Sequence, residues 1–303
     1  MTGLRVILAT DGSTGSDDAL TMLIASFKPG AIAEIEVLAV VPQVTRWPAP
    51  GREDHGPILI IEAAHRAAAE ATVAAAVKRL DKVGFRAWPA ILVGHPAETI
   101  VLHATAERSD LVVVGTRRLG AFRRQVVGSV SSKVARYAAI SVLVARTADP
   151  IRRIVLGYDA SPDADLALDL VASLPLRDAD AVTVCTVYES VAPLASGIAP
   201  TMVGQVHAAY QADLREARGA AEAVAADGAR RLRERGVFAE HRAIHGTPHE
   251  HLAIAASESS ADLLVVGSRG LSGIERFFLG STSAALVAHP PTSVLVARAR
   301  LGA

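Results

Sequence analysis

Short runs of Val, Ile and Leu alternate along the chain with longer Ala-rich stretches whose apolar residues recur at helical spacing. This alternation is typical of βαβ units built around a parallel sheet. In the second half it predicts strands near 153–158, 181–187, 237–244, 262–266 and 293–297, with helices near 162–173, 205–235, 248–259 and 281–288. The first half shows the same alternation, with a long helix from about 58 to 83. Each half therefore predicts a doubly wound, Rossmann-like α/β domain with a five-stranded parallel sheet.

Local signals mark where two of the helices begin. Ser161 places a capping hydroxyl before Pro162 in the first turn, and Asp163 follows near the positive end of the helix dipole. In the first half we expect Ser16 or Asp17 to cap the corresponding helix.

The two halves are copies of each other. The segment RVILATDGS at 5–13 recurs as RIVLGYDAS at 153–161, an offset of 148, and GHPAE at 94–98 recurs as GTPHE at 246–250, an offset of 152. The run SVLVAR occurs at both 141–146 and 293–298. Order and spacing are kept throughout, so the chain is a tandem duplication. The polar stretch at 147–150 places the boundary, giving domains 1–147 and 151–303.

Composition narrows the class of protein. The chain has 303 residues, of which 50% are hydrophobic and 20% charged, which excludes a disordered chain. Thirty-one basic residues balance thirty-one acidic ones, so nucleic acid is not the expected main partner. Cys185 stands alone, which excludes an internal disulfide and a Cys-based zinc site, and we expect it to be a small buried apolar group. No signal peptide or membrane span is recognisable, so we expect a soluble cytoplasmic protein.

Three kinds of residue fall where the strands of each half end. An Asp follows the first strand, a Gly closes the fourth strand, and a Gly-Ser pair opens the next helix. These residues are Asp11, Gly115, Gly128 and Ser129 in the first half, and Asp159, Gly267, Gly280 and Ser281 in the second. Ligands of doubly wound sheets bind beyond the carboxyl ends of the strands, so these residues are candidates for a binding site.

The spacing of the glycines favours an anion. In the second half they form Gly267-x2-Gly270-x9-Gly280-Ser281. Glycine allows close backbone approach, and a helix N-terminus offers free N–H groups to phosphate. Arg269 and Arg276 could screen phosphate charge. Glycines after strands also serve tight turns, and the two aspartates could be structural caps, so both alternatives stay open at this point.

Residues 267–281 match position by position the nucleotide motif Gly-x2-Gly-x9-Gly-(Ser/Thr) of the universal stress protein family, and the chain resembles its tandem two-domain members. The Asp after the first strand, the Gly-x-Pro-x-Glu helix start and the Ser-Val-Leu-Val-Ala-Arg strand extend the resemblance over both halves. It implies an adenine nucleotide alpha hydrolase-like fold and an ATP-binding stress-response regulator, with magnesium beside the ATP and assembly as a homodimer.

The resemblance also implies a set of site residues. Asp159 would lie at the adenine and ribose side, the backbone of Val187 would face the adenine, and Gly267, Gly270, Gly280 and Ser281 would hold ribose and phosphates, with Thr282 and Ser283 at the same helix start. The first-half equivalents are Asp11, Val40, Gly115, Gly128 and Ser129, with Val130 and Ser131.

The first half departs from the motif at one position. Arg118 stands where the second half has Gly270, and Gly120 lies two positions later. A side chain there could clash with ribose or phosphate, whereas Arg117, Arg118, Arg123 and Arg124 could instead attract phosphate. We therefore expect unequal binding, with ATP held better by the second domain.

Other chemistry has less support in the sequence. There is no Gly-x4-Gly-Lys-(Ser/Thr), no Gly-x-Gly-x2-Gly after the first strand, and no recognisable nucleophile and base pair. His241, His245, His249 and His251 are interpreted as solvated rather than as a metal site, and Trp47 as part of a surface loop rather than a lid. A slow ATPase, a cyclic-AMP-binding member and a non-binding scaffold remain the alternatives.

The last strand of each half predicts how the halves meet. Strands 141–145 and 293–297 are short, apolar and identical, and such edges cannot stay exposed without uncontrolled pairing. Members of the family pair these strands between protomers. We therefore expect them to pair within this chain, leaving other faces for a homodimer.

Overall fold

The computed structural model describes residues 3–43, 56–116, 128–177, 181–190, 200–270 and 279–299. The first domain runs β1 (Leu4–Ala9), α1 (Thr14–Ser26), β2 (Ile32–Val41), α2 (Gly56–Lys82), β3 (Ala87–Val93), α3 (Pro96–Ala106), β4 (Leu111–Gly115), α4 (Ser129–Tyr137) and β5 (Ser141–Ala145). The second runs β6 (Arg153–Gly157), α5 (Pro162–Ser173), β7 (Ala181–Tyr188), α6 (Val203–Glu234), β8 (Ala239–His245), α7 (Pro248–Glu258), β9 (Leu263–Gly267), α8 (Ser281–Ala288) and β10 (Ser293–Ala297). The predicted α/β alternation is confirmed in both halves.

The strands form one ten-stranded sheet in the order β3-β2-β1-β4-β5-β10-β9-β6-β7-β8. Among these ten strands, pairing is parallel within each domain and antiparallel between β5 and β10, where Leu143 lies opposite Leu295. The predicted pairing of these two strands within one chain is therefore confirmed. Strand order reverses at β1, which lies between β2 and β4, and again at β6, between β7 and β9. Those switch points are where a doubly wound sheet opens a crevice for ligands.

Helices cover both faces of the sheet. One buried cluster brings together side chains of α1, α2, α5 and α6, including Leu20, Leu80, Leu168 and Leu232. The other includes side chains of α3, α4, α7 and α8. Both clusters contain residues of the two domains, so the apolar core continues across the domain boundary. Within the described part of the chain, no helix has the length and apolarity needed to cross a bilayer.

The cap expected for α1 was assigned to the wrong residue. The structure places Ser13 at the N-cap in extended conformation, and its hydroxyl oxygen accepts a hydrogen bond from the Ser16 N–H at 3.4 Å. Neither Ser16 nor Asp17 caps, because both already lie inside the first turn of the helix. Ser161 occupies the equivalent position in α5 and accepts from the Ala164 N–H at 3.2 Å, as predicted.

Two arginines cross the domain boundary in a nearly symmetric way. Arg298, after β10, donates to the carbonyl oxygen of Ala135 at 2.8 Å in the last turn of α4, where a cation is favourable to the helix dipole. Arg146, after β5, donates to the carbonyl oxygen of Pro290, beyond α8. The strand pairing is therefore reinforced from both sides.

Candidate functional site

The turn after β1 shapes one wall of the site in the first domain. The Asp11 carboxylate accepts a hydrogen bond from the Ser13 N–H at 3.0 Å, and the Thr10 hydroxyl donates to Ser16 Oγ at 3.1 Å. Gly12 has a φ of +74°, which favours glycine, and a Cβ there would lie 3.1 Å from the Thr72 hydroxyl of α2. The turn is thus held by its own hydrogen bonds. Asp11 stays exposed beside the switch point.

Two glycines let α1 and the end of β4 touch backbone to backbone. A Cβ on Gly15 would lie 1.8 Å from the carbonyl oxygen of Thr116, and one on Gly115 would lie 2.0 Å from that of Gly15. Neither position has room for a side chain. The carbonyl oxygen of Gly115 also accepts a hydrogen bond from Ser131 Oγ at 2.5 Å, which ties β4 to the first turn of α4.

The N-terminus of α4 lies at the same place, beside the end of β4. Gly128 is the N-cap in extended conformation and has no side chain with which to cap. The first N–H groups of a helix have no partner within the helix, and within the described residues no side chain caps those of α4, so they suit an external acceptor. Phosphate is the acceptor that such an arrangement suits best.

A cavity of about 320 Å³ lies between these elements. This volume falls in the range of small-molecule sites, roughly 300–1,000 Å³. It is lined by Ala9, Thr10, Asp11, Ser13, Ser16, Leu38, Ala39, Val40, Val41, Pro42, His65, Ala68, Ala69, Thr72, Pro96, Ile100, Val114, Gly115, Gly128, Val130 and Ser131. Leu38, Ala39, Ile100 and Val114 are buried and give it an apolar wall, while Asp11 and His65 are exposed. The lining therefore offers apolar surface that suits an aromatic ring, together with side chains that suit polar groups.

The structure brings together most of the first-half residues singled out from the sequence. Asp11, Val40, Gly115, Gly128, Val130 and Ser131 all line the cavity, whereas Ser129 does not. Sequence reasoning missed the contribution of α2, where His65, Ala68, Ala69 and Thr72 line it. Their spacing of three and four residues on one face of a long helix was the available signal.

The equivalent turn in the second domain is built on different residues. The Asp159 carboxylate accepts from the Ser161 N–H at 3.0 Å, as Asp11 does from Ser13. Ala160 adopts a φ of +59° where the first domain has Gly12. A Cβ on Gly270 would lie 2.7 Å from Asp159 Oδ2, so the carboxylate rests against this second glycine of the motif. The structure thus places the Asp159 carboxylate beside Gly270.

Asp163 occupies the position that corresponds to Gly15, and its side chain engages the motif loop. Its two carboxylate oxygens accept from Nε and Nη2 of Arg269 at 3.1 and 3.2 Å, and Oδ2 also accepts from the Ser268 hydroxyl. The Asp163 carboxylate is buried and the Arg269 guanidinium partly exposed. Arg269, suggested above as a screen for phosphate, is therefore engaged by a carboxylate of its own chain.

The remaining second-domain residues lie around the start of α8 and the end of β7. Gly280 is the N-cap of α8 and, like Gly128, leaves the first N–H groups uncapped, with Ser281 and Thr282 in the first turn. Ser283 is buried and its hydroxyl donates to the carbonyl oxygen of Gly267 at 2.6 Å, which ties β9 to α8. Val187 lies near the end of β7.

Tyr158 replaces Thr10 in the second domain and turns into the core. Its hydroxyl donates to Asp165 Oδ1 at 2.8 Å and accepts from Arg231 Nη1 at 2.6 Å. Burial and the hydrogen bond to Asp165 raise the pKa of Tyr158 to about 12. The ring needs the space left by Gly228 of α6, because a Cβ there would lie 2.9 Å from Tyr158 Cδ1.

Several predicted features lie outside the described residues. These are Trp47, the arginines and glycine at 117, 118, 120, 123 and 124, and Arg276. The described residues therefore do not test the unequal binding inferred from Arg118, in which the second domain holds ATP better. The histidine cluster is described: His241 and His245 lie on β8, and His249 and His251 on α7. No group of three or more His, Cys, Asp or Glu in the described ranges is placed to hold a metal ion.

Comparison with known proteins assigns both halves to one family. A model of the universal stress protein family matches residues 4–146 and 150–298. A universal stress protein of Mycolicibacterium smegmatis is 27% identical over 308 residues, covering 97% of either chain. One of Thermus aquaticus is 40% identical over 86 residues, which span 28% of this chain and 58% of that protein. The crystal structure of a universal stress protein from Archaeoglobus fulgidus has a TM-score of 0.65 at 22% identity and covers 97% of this chain and 98% of that one. The fold likeness therefore extends over both domains.

Proposed function

The chain belongs to the universal stress protein family, and from that premise we propose that it is an ATP-binding stress-response regulator. We propose the first domain as the one that holds the nucleotide, in place of the second domain that the complete glycine motif favoured. The observation that carries this proposal is the cavity at the switch point of the first domain. Six of the seven residues inferred for that domain line this cavity. Its position beyond the carboxyl ends of β1 and β4 is where doubly wound folds bind their ligands.

The shape of the cavity suggests how the nucleotide lies. The adenine rests against the apolar wall formed by Leu38, Val40 and Ile100. The ribose lies near Asp11, whose carboxylate is the kind of acceptor that binds ribose hydroxyls. The phosphates then face Gly128 and the uncapped start of α4.

Magnesium fits this arrangement as a companion of the phosphates. The ion usually keeps several waters and needs only one or two carboxylates beside the phosphate oxygens, so a dedicated protein cage is unnecessary. Asp11, exposed in the cavity lining, is the carboxylate that would reach the ion through one of these waters, because its oxygens also face the ribose. When bound, magnesium neutralises phosphate charge that the protein would otherwise have to balance.

Calorimetry with MgATP on the full chain tests the proposal. We expect Asp11→Ala to weaken binding about tenfold or more, because it removes the polar partner of the ribose. Asp17→Ala is the matched control: it removes an aspartate six residues along, paired with Arg79 and absent from the cavity wall. Wild-type affinity in Asp11→Ala, or an equal loss in Asp17→Ala, would remove the proposed site.

A ligand series separates the alternatives to an ATP-dependent regulator. We expect ATP to bind more tightly than adenosine, because the start of α4 contributes only when phosphates are present. Tighter binding of cyclic AMP would identify a cyclic-nucleotide receptor instead. Phosphate released from MgATP at a rate that Asp11→Ala abolishes would identify a slow ATPase.

We also propose that the protein works in the cytoplasm as a homodimer. Cys185 is buried and the structure relies on it for no cross-link, which suits a reducing compartment. Since β5 and β10 pair within the chain, the dimer must use other surfaces. Light scattering across a dilution series measures the mass: twice the chain mass supports the dimer, and a constant single-chain mass contradicts it.

A further inference from the structure

The two outer strands of the sheet differ in how their edges are protected. At one end β3 has the sequence AWPAILV, which contains no charged residue, whereas β8 at the other end exposes Glu240, His241 and Arg242. Arg242 also donates to Glu258 of α7 at 3.2 Å. Charged side chains are a common means by which an edge strand avoids pairing with another chain. The edge of β8 is therefore guarded by charge, and the edge of β3 is not.

The backbone of β3 offers hydrogen-bonding groups on its outer side. The Arg86 carbonyl oxygen accepts from β2 at 2.9 Å and the Gly94 N–H donates to β2 at 3.0 Å, so the even-numbered residues of this segment face β2. The odd-numbered residues therefore turn their N–H and C=O groups outward, as Ile91 and Val93 do. Pro89 removes one outward donor, but its carbonyl oxygen remains. Among the described strands, β2 alone pairs with β3.

A groove beside this edge leaves room for the side chains of an added strand. Its volume is about 620 Å³, and it is lined by Ala74, Val77, Lys78, Asp81, Lys82 and Pro89. On the same face of the sheet, Ala87 and Ile91 pack on the core cluster of α2, and Val93 is 61% exposed. The edge thus presents apolar side chains where a further strand could pair.

Opposite charges lie at the two ends of the strand. Arg86 directly precedes β3, Glu98 lies in the first turn of α3 that follows it, and both are exposed. Ala90 and Leu92 pack on the cluster that includes α3, so alternation along the strand puts Arg86 on the face of α3. If two copies of β3 pair antiparallel about an axis at Ile91, Arg86 of one copy lies opposite position 96 of the other, two residues from Glu98. Such a pairing brings the opposite charges together twice.

We infer that the β3 edge is an interaction surface whose partner is a second copy of this chain, with the two β3 strands antiparallel about a twofold axis. The charges at the strand ends complement each other in that orientation, which a twofold contact between edges requires. The charged edge of β8 keeps further copies from adding at the other end, so the assembly closes at two. The inference rests on the proposed homodimer, for which it names the contact surface.

Charge reversal on the full chain tests this contact, with light scattering across a dilution series as the measurement. We expect Arg86→Glu and Glu98→Arg each to weaken dimerisation about tenfold or more, because each places like charges opposite one another twice. The double variant, Arg86→Glu with Glu98→Arg, should restore the dimer to within about threefold of the wild type. A variant that merely misfolds would not be restored in this way.

The second domain provides the matched control. Glu250 holds the place of Glu98 at the offset of 152 that relates these segments, but Phe238 stands where the first domain has Arg86. Glu250→Arg reverses the same charge at the same point of a helix without a facing arginine. It should therefore leave the dimer unchanged.

Hydrogen exchange gives a second measurement, which reads the strand pairing itself. At a concentration where the wild type is dimeric, the outward amides of Ile91 and Val93 should exchange about tenfold more slowly in the wild type than in Arg86→Glu, because only the dimer pairs them. The amides of Ala90 and Leu92 face β2 and should exchange alike in both proteins.

The outcomes separate this inference from the proposed function. A wild type that stays at the single-chain mass overturns the inference together with the proposed homodimer. A dimer that neither single variant weakens, that the double variant fails to restore, or that Glu250→Arg weakens equally retains the homodimer and overturns β3 as its contact. Outward amides of β3 that exchange alike in the wild type and in Arg86→Glu also overturn it. ATP binding is measured separately by calorimetry, and none of these outcomes bears on it.

Discussion

Cys185 shows how far burial changes the chemistry of one residue. Its thiol lies on β7 at 1% exposure, and burial raises the pKa of the thiol from 9.0 to about 11. A thiol that keeps its proton at physiological pH is a poor nucleophile. Cys185 is a small buried apolar group in the sheet, as predicted from the sequence.

The raised pKa of Cys185 predicts a loss of stability in alkali. Between pH 9 and 11 the unfolded chain loses the thiol proton while the folded chain keeps it, so the free energy of unfolding falls over that window, by on the order of 2 kcal/mol. Urea unfolding at pH 8 and about pH 10.5 measures this. Cys185→Ala should lose less stability between the two pH values than the wild type, and equal losses in both proteins would contradict the assignment.

Single residues also show where sequence reasoning reaches its limit. Asp11, Gly115 and Gly128 could be predicted because each directly follows or closes a recognisable strand or opens a helix. The ion pair of Asp163 with Arg269 could not, because these residues are 106 positions apart and neither belongs to the glycine pattern. Only the packing of α5 against β9 brings them together.

At the scale of elements, the two copies of the repeat differ in side-chain size where the end of a strand packs against a helix. The first domain has Thr10 and Ala76 of α2 where the second has Tyr158 and Gly228 of α6, at the offsets of 148 and 152 that relate these segments. A large ring beside a glycine thus replaces two small side chains. The pattern of apolar residues predicted both helices but not this exchange, which depends on contact between distant segments.

This exchange predicts the effect of Gly228→Ala. In a helix interior the substitution ordinarily gains about 1 kcal/mol, but here the new Cβ would lie 2.9 Å from the Tyr158 ring, and overpacking costs about 1–3 kcal/mol. We therefore expect a net loss of stability. Gly219→Ala, an exposed control in the same helix with open space around it, should instead stabilise. Urea midpoints compare them.

A double variant makes the prediction specific to the pair. Tyr158→Thr with Gly228→Ala restores the residue types of the first domain, so its loss should be smaller than the sum of the two single losses. Additive losses would mean that the ring and the glycine are not coupled. Stabilisation by Gly228→Ala alone would contradict the packing outright.

At the scale of the whole molecule, two domains share one sheet. The identical runs at 141–146 and 293–298 predicted the β5–β10 pairing, because identical apolar edges fit each other about a twofold axis. The hydrogen bonds that Arg146 and Arg298 make to the other domain were not predicted, since nothing in the sequence indicates that these side chains reach it. Burial lowers the pKa of Arg298 to about 10, which reflects how fully this contact is enclosed.

The shared sheet predicts a pattern of hydrogen exchange. Alternate N–H groups of β5 and β10 point to the neighbour in their own domain and to the other domain, so all amides at 142–144 and 294–296 should exchange slowly. The reference is β8, an outer strand that among the described strands pairs with β7 alone. Exchange in every second residue of β5 and β10 as fast as in β8 would mean that the domains separate readily in solution.

The central claim is that the first-domain cavity binds the nucleotide, and a matched pair of tryptophan variants tests it most directly. Ala68 and Ala67 are adjacent exposed residues of α2, but only Ala68 lines the cavity. Calorimetric titration of the full chain with MgATP should show that Ala68→Trp removes the tight site and that Ala67→Trp retains it with wild-type affinity. Retention of the tight site in Ala68→Trp would contradict the claim and place the nucleotide elsewhere.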